Sequence, residues 1–401
     1  MNDYKEKKDC ICCGKKNLKT ILDLNEQPLA NSYHDNTAEQ KTYPLKLNLC
    51  KNCYHLQLSH IVNPDLLFKD YLYVSGTTKT LRDYFDWFAW YVSIKFETKA
   101  FPSVLDIACN DGSQLDSFKQ FNWSTFGIDP AENLYPLSSK NHNVVCDYFS
   151  ADKFDRKFDI IIAQNVFAHN ENALQFLNDC DQLMDEDSHL FIQTSQAELI
   201  ASNQFDTIYH EHLSFFNINS MNELAKRSNL KLIDVKKTPV HGISYVFIFS
   251  KKESTLELVK NSLDIEKERG LVSLGTYDTY KENVEKIVSD FKKTIQDFKD
   301  KNHKIIGYGA AAKGMTFLNY AKIYPDVIID DNPLKQGLYT PGGNIPIASI
   351  DYIENLGDEE KVLFVPLAWN FYSEIRERIK KVRDNPNDCF LKYFPNVKTE
   401  A

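Results

Sequence analysis

The chain of 401 residues has no run of about 18 apolar residues, so nothing in it reads as a membrane-spanning helix. Its polar start, MNDYKEKKDC, lacks the apolar stretch of a secretory signal. Cationic excess is missing too: 47 Lys and Arg against 56 Asp and Glu leave a net charge of −9. That balance argues against a general nucleic-acid or anionic-membrane partner, because such affinity comes from Lys and Arg. A local basic pocket for one diphosphate stays compatible with it. The chain also lacks short-period repeats and low-complexity segments, and its nine cysteines are not an even, disulfide-ready set. Thiols in odd number fit a reducing compartment, where they serve metals or cores, and a cytoplasmic protein is expected. What is present, 43% apolar and 26% charged residues, is ordinary for a globular protein. The length exceeds what one core usually fills, so two or three domains are expected.

Three segments differ in pattern. Residues 1–75 hold Cys10 and Cys13 in "CICCGKK" and Cys50 and Cys53 in "LCKNCYHLQL". Two C-x2-C pairs bring four thiolates to one tetrahedral zinc; four unrelated core cysteines are the alternative, and Cys12 competes at poorer spacing. Four thiolates leave no open position, so the metal would be structural. Residues 76–250 alternate short β-rich runs with helical stretches, as in a doubly wound parallel sheet: "SVLDIACNDG", "TFGIDP", "FDIIIAQNVF" and "HLFIQTS". Residues 251–401 open with a charged helix whose Tyr280, Val284, Ile287, Val288, Phe291, Ile295 and Phe298 form one apolar stripe, then resume the α/β pattern.

Each α/β unit carries a glycine turn. In "VLDIACNDG", Asp106 closes a strand ahead of Gly112, and Asp129 ends the next strand, where a carboxylate can accept both hydroxyls of a ribose. This suits nucleoside cofactors generally, S-adenosylmethionine included; a strand-capping Asp and a tight-turn Gly would leave the same trace. In "GYGAAAKG", Gly307, Gly309 and Ala312 have G-x-G-x-x-A spacing, with Asp330 and Asp331 some twenty residues on. Alone this favours a dinucleotide; with Lys313 it is equally a cradle for a sugar-nucleotide diphosphate, or a close helix-to-sheet contact.

A third feature, "FDTIYHEHLSFF" at 205–216, sets Tyr209, His210, Glu211 and His212 among apolar residues. A metal site from His169, His210, His212 and His241 is disfavoured, since H-E-H is not the H-E-x-x-H spacing of one helical face. A polar loop with satisfied histidines is the plainer alternative. "YLYVSGTT", with Tyr71, Tyr73, Ser75 and Thr77, lines a pocket or is a half-buried strand.

Taken in order, the cysteine pairs, "LFKDYLYVSGTT", "VLDIACNDGSQL", "NVFAHN", "FDTIYHEHLSFF", "VHGISYVFI", "GYGAAAKGMTFLNY" and "DDNPLKQGLYTPGGNIPI" resemble the three-domain sugar C-methyltransferases, including those acting at C3 of dTDP-4-keto-6-deoxyhexoses. The resemblance runs from Cys10 to about Trp369. It implies a zinc-binding domain, a class I S-adenosylmethionine methyltransferase domain, and a Rossmann-like domain that helps hold a nucleotide keto-sugar without carrying NAD. It further implies cofactor contacts from Asp106, Ala108, Asn110, Gly112, Asp129, Pro130, Asp147, Tyr148, Phe149, Asn165, Tyr73 and Ser75. Substrate contacts would come from Tyr71, His241, Lys313 and Lys335. Ala108 and Cys109 depart from the family's glycine or serine, and Gln193 stands where an acid is common.

Alkylating carbon requires removal of a proton next to a ketone, and histidine suits that work near neutral pH. His212 is the expected base, Glu211 the carboxylate orienting a ring or shaping its pKa, and Tyr209 the donor to the enolate oxygen. His169 would help place the keto-sugar. Other readings are an O- or N-methyltransferase on such a sugar, an NAD-dependent nucleotide-sugar oxidoreductase, and a zinc-dependent scaffold.

Overall fold

The computed structural model describes residues 3–36, 40–68, 74–77, 79–96, 99–194, 197–239, 244–252 and 257–401. Tyr71, Tyr73 and His241 lie outside the described residues. Among these no helix is long and apolar enough to cross a membrane.

The N-terminal segment builds a four-stranded antiparallel sheet from Leu18–Gln27, Tyr43–Cys50, Leu56–Leu58 and Ser214–Phe215. Alternation makes the second of these a strand: Tyr43, Leu45, Leu47 and Leu49 all point into the core. Its edge partner, Ser214–Phe215, comes from the end of the histidine loop. Backbone pairing therefore crosses the expected boundary at residue 75 and ties that loop to the cysteine-bearing segment.

The central sheet has seven strands in the order Lys231–Thr238, Ser244–Ser250, Met184–Thr194, Phe158–Gln164, Ser103–Ile107, Ser124–Ile128, Asn143–Val145. All are parallel except Ser244–Ser250, which runs against both neighbours. Strands covered on both faces are mainly apolar, and Ser103–Ile107 is buried at every position, with Ser103 and Asp106 its polar members. Helix Lys79–Lys95 covers one face with Leu81, Tyr84, Phe85, Phe88, Ala89 and Val92. The chain leaves Ser103–Ile107 toward one side and Phe158–Gln164 lies on the other, so the sheet reverses between them. Ligands bind at the carboxyl ends of strands at such a switch point.

Helix Leu274–Lys299 carries the expected stripe, with Tyr277 added and Phe298 half-buried. Phe291 meets Phe317 with ring centres 4.8 Å apart, while the Tyr280 hydroxyl donates to the Gln204 carbonyl at 2.9 Å. The helix thus touches both α/β units. Beyond it a six-stranded sheet runs Ile347–Ala348, Val327–Ile329, His303–Tyr308, Lys361–Pro366, Cys389–Lys392, Lys398–Glu400, with the last strand antiparallel. One contiguous apolar core links all three segments, from Leu47 through Phe205 and Phe216 to Phe317 and Tyr393. Each such fully buried side chain contributes roughly 1.5–3 kcal/mol.

Candidate active site and metal centre

The four cysteines converge. Ligand atoms of Cys10, Cys13, Cys50 and Cys53 all lie within 4.8 Å of one another, and the sulfurs of Cys10 and Cys53, and of Cys13 and Cys50, are each 3.5 Å apart. Thiolates at about 2.3 Å from a tetrahedral zinc stand about 3.8 Å apart, so the cluster fits that ion. Each pair sits on a tight turn: Gly14 donates to the Cys10 carbonyl and Tyr54 to that of Cys50, both at 2.9 Å and both with positive φ. Cys12 is buried and stands outside this set of four. The zinc is structural, since the four sulfurs fill its coordination.

At the first glycine turn the backbone is left-handed three times, at Ala108 (φ 62°), Asn110 (φ 51°) and Gly112 (φ 84°). Holding Ala108 there costs about 1 kcal/mol, which glycine would avoid. Cys109 packs against Gly127, where a Cβ would stand 2.6 Å from its sulfur. Asp129 clamps the turn: Asn110 N–H and Ala131 N–H each donate to one of its oxygens at 2.8 Å. Beneath it Asp106 is buried, and no described residue donates a hydrogen bond to it. Burial, with the charges of Asp129 and Asp111, pushes that carboxyl well above its usual range. A carboxyl so left at a switch point fits a cationic, nucleoside-bearing cofactor such as S-adenosylmethionine.

The remaining cofactor candidates gather unevenly. Ser75 N–H donates to the Asn110 side chain and Gly76 N–H to Asp111, both at 2.9 Å, which docks the 75–77 turn on the glycine turn. Gly76 has no room for a Cβ, which would meet Ser113 Oγ at 2.1 Å; the sequence alone did not single it out. Pro130 follows the clamp half-buried, and Asp147 ion-pairs with Lys153. The exposed Tyr148 donates to Asp65 at 3.2 Å, whereas Phe149 turns into the core against Phe176. Asn165 (φ 58°) ends its strand on the Gln193 carbonyl at 2.8 Å. Gln193, in place of an acid, is buried and accepts from the Tyr84 hydroxyl.

The histidine loop lies beside this edge. His212 Nδ1–H donates to the Thr207 carbonyl at 2.9 Å, which fixes the tautomer and leaves a lone pair on Nε2, 3.0 Å from the Tyr209 hydroxyl. His169, just past the strand ending at Gln164, stacks on His212 with ring centres 5.3 Å apart, and Phe68 stacks on its other face at 5.4 Å. Burial pushes His169 down to about 4, so it is neutral at pH 7. One role is corrected. Glu211 does not orient a ring: its described hydrogen bond is from Asn31 Nδ2 at 2.6 Å, and Thr207 does the orienting that was expected of it. His210 is buried, with Nε2–H donating to the Tyr43 carbonyl at 3.2 Å, and is an anchor. Among the described residues the only metal-capable cluster is the cysteine set, which includes none of His169, His210 and His212.

The second glycine turn repeats the clamp. Ala310 N–H and Asn332 N–H donate to the two oxygens of Asp330 at 2.6 and 2.8 Å. Here, however, the Ala310 carbonyl accepts from Tyr33 of the N-terminal segment at 2.5 Å and from Lys335 Nζ at 2.7 Å. Lys313 lies 5.6 Å over the Trp369 ring, whose N–H donates at 2.6 Å to the fully buried Asp206. Burial pushes both lysines below their usual range, opposed by Asp206 at Lys313 and by Asp330 at Lys335. Asn31, Tyr33, Asp206 and Trp369 escaped sequence reading, because a lone Asn, Tyr, Asp or Trp carries no spacing that marks a site.

A mostly parallel seven-stranded sheet with a buried acid at its switch point has the build of an S-adenosylmethionine-dependent methyltransferase of class I. Family models match the chain in order: a zinc binding domain over residues 10–68, a methyltransferase domain over 81–235 and a C-methyltransferase C-terminal domain over 239–395. With all three in that order, the protein is a three-domain C-methyltransferase. It is similar to the C-methyltransferase NovU of Streptomyces niveus, 26% identical over 394 residues that cover 94% of this chain and 93% of the relative. Similar solved structures include a magnesium protoporphyrin IX methyltransferase from Synechocystis PCC 6803 with bound SAM, at 13% identity and TM-score 0.33, covering 43% of this chain and 79% of that one. An S-adenosylmethionine-dependent methyltransferase from Clostridium acetobutylicum ATCC 824 matches at 11% identity and TM-score 0.35, over 44% and 94%.

Proposed function

We propose that the protein methylates C3 of a nucleotide-activated 4-keto-deoxysugar by way of an enolate, with His212 as base. The observation that carries this reading is the paired contact of that ring: Thr207 holds Nδ1–H and leaves Nε2 basic, next to a tyrosine hydroxyl and at the cofactor edge of the sheet. S-adenosylmethionine, when bound, supplies an electrophilic methyl group. His212 Nε2 takes the proton from the carbon beside the ketone, and its Nδ1–H bond to Thr207 steadies the imidazolium that forms. Tyr209, whose one hydroxyl proton points to Nε2 before substrate enters, turns it to the oxygen on which enolate charge develops as Nε2 takes the substrate proton. His169, neutral and stacked on the base, supports its ring and places the sugar. Asp106 and Asp129 hold the cofactor, the latter through its remaining lone pairs on the ribose hydroxyls. Lys313 and Lys335 face the diphosphate, with Tyr71 and His241 as further sugar contacts.

Labelled S-adenosylmethionine and a set of nucleotide keto-sugars, read by mass spectrometry, test the substrate. Deuterium exchange at C3 tests the chemistry, because only carbon alkylation demands loss of that proton; methyl transfer without exchange would point to oxygen or nitrogen. His212→Ala is expected to abolish transfer, by 1,000-fold or more, with cofactor affinity unchanged. Full turnover by that variant removes the assignment.

A further inference from the structure

The bond that ties the histidine loop to the cysteine-bearing segment is left unused by the reading above. Asn31 Nδ2 reaches Glu211 Oε1 at 2.6 Å across 180 residues of chain. Glu211 is 4% exposed, and no other described residue donates to it. Two residues along, Tyr33 donates to Ala310 and lies under Lys335, whose ammonium is 4.9 Å from its ring centre. His34 then exchanges backbone hydrogen bonds with Tyr339, at 3.2 and 2.7 Å. Four consecutive residues, Asn31–His34, thus touch the catalytic loop at one end and the second glycine turn at the other. A carboxyl held by one neutral amide makes poor packing material, since a single hydrogen bond does not offset the loss of hydration. An apolar side chain would serve a purely structural position better.

We infer that Asn31 is a positioning residue of the methyl-transfer site: its amide holds one oxygen of Glu211 and aims the other at the substrate beside His212, which makes the zinc-binding segment part of the active site. The inference rests on the proposed role of the histidine loop. Burial pushes Glu211 up to about 7, and the Asn31 amide opposes that by favouring the carboxylate. The groups around it change charge elsewhere. Burial, then Asp330 and Glu211 itself, raise Tyr33, while burial pushes His210 down to about 4. His212, next in the chain, is bonded to Thr207 and Tyr209.

The test compares wild type with Asn31→Ala, Asn31→Ser and Glu211→Gln in the full-length, zinc-loaded protein. The Glu211 carboxyl is followed without substrate by infrared difference spectra, the Glu211→Gln variant identifying its band. Its midpoint is expected to rise by about one pH unit in Asn31→Ala and to return part way in Asn31→Ser, which keeps a donor. Methyl transfer should fall about 10- to 100-fold in kcat in Asn31→Ala, with S-adenosylmethionine affinity within twofold. A midpoint unmoved in the alanine variant, or in the serine variant should alanine not fold, overturns the inference. Wild-type protein that methylates no keto-sugar overturns the substrate reading alone, because the carboxyl titration still decides the role of Asn31.

Discussion

The two glycine turns are near copies in backbone terms and differ in what packs against them. At each, an aspartate ending the next strand clamps two amides, Asp129 on Asn110 and Ala131, Asp330 on Ala310 and Asn332. The first turn covers a buried acid, Asp106, to which no described residue donates. The second has Tyr33, from the N-terminal segment, and Lys335 donating to its own Ala310 carbonyl. Glycine spacing specifies a tight turn and a close approach. What approaches is decided by whatever packs across from it.

The largest expected effect separates the turns directly. Asp106→Ala should weaken S-adenosylmethionine by 100-fold or more in calorimetry, about 3 kcal/mol, as fits loss of a buried charged partner, whereas Asp330→Ala should change it less than threefold. Equal losses would break the comparison. Next comes the metal that organises the segment carrying Tyr33: Cys13→Ser is expected to lose zinc by elemental analysis and to lower the melting temperature by 10 °C or more. An unchanged melting curve would contradict a structural ion. Lys313→Ala sharpens the use of the second turn, with KM for the nucleotide sugar raised about 10-fold and cofactor affinity unaltered, as befits one charge-assisted contact. If the loss falls on cofactor binding instead, Lys313 belongs to the first turn's ligand.

Smaller effects follow. Tyr33→Phe removes one hydrogen bond from the second turn and should cost about 1 kcal/mol, a melting shift of 1–3 °C. Titration gives the smallest and most specific signature. Burial pushes His169 and His210 down to about 4, below the 6.5 of an unfolded histidine. A base depressed on folding contributes stability that is complete above pH 6.5 and lost as pH falls to 4. Denaturant unfolding should therefore weaken over that window, and His210→Asn should flatten the slope against pH whatever it does to the absolute stability. A slope identical to wild type would place the burial cost elsewhere.

Much was legible beforehand because it is local. The cysteine pairs are drawn together by their spacing, the strand runs by their apolar content, and the stripe from Tyr280 to Ile295 by its helical period. The histidine loop stood out because charged residue types among apolar ones are costly to bury. Partners across the fold were not legible. Glu211, expected to orient a ring or shape its pKa, meets Asn31 from 180 residues away, while the His212 ring is held by a backbone carbonyl, which leaves no mark in a sequence. Gln193, a departure that bears on how the sugar or the cofactor is held, is buried and accepts from the Tyr84 hydroxyl, a partner more than a hundred residues away.

Periodicity and spacing by themselves determined the two C-x2-C pairs, the strand runs and the apolar stripe of the long helix, because each depends on residues within a few turns or one strand of one another. Only tertiary packing decided that the two cysteine pairs meet, that Asn31 reaches Glu211, and that Tyr33 donates to the second glycine turn. Those contacts join residues up to 277 positions apart, and at that range it is the geometry of the assembled core, with no local preference of the chain, that brings donor to acceptor.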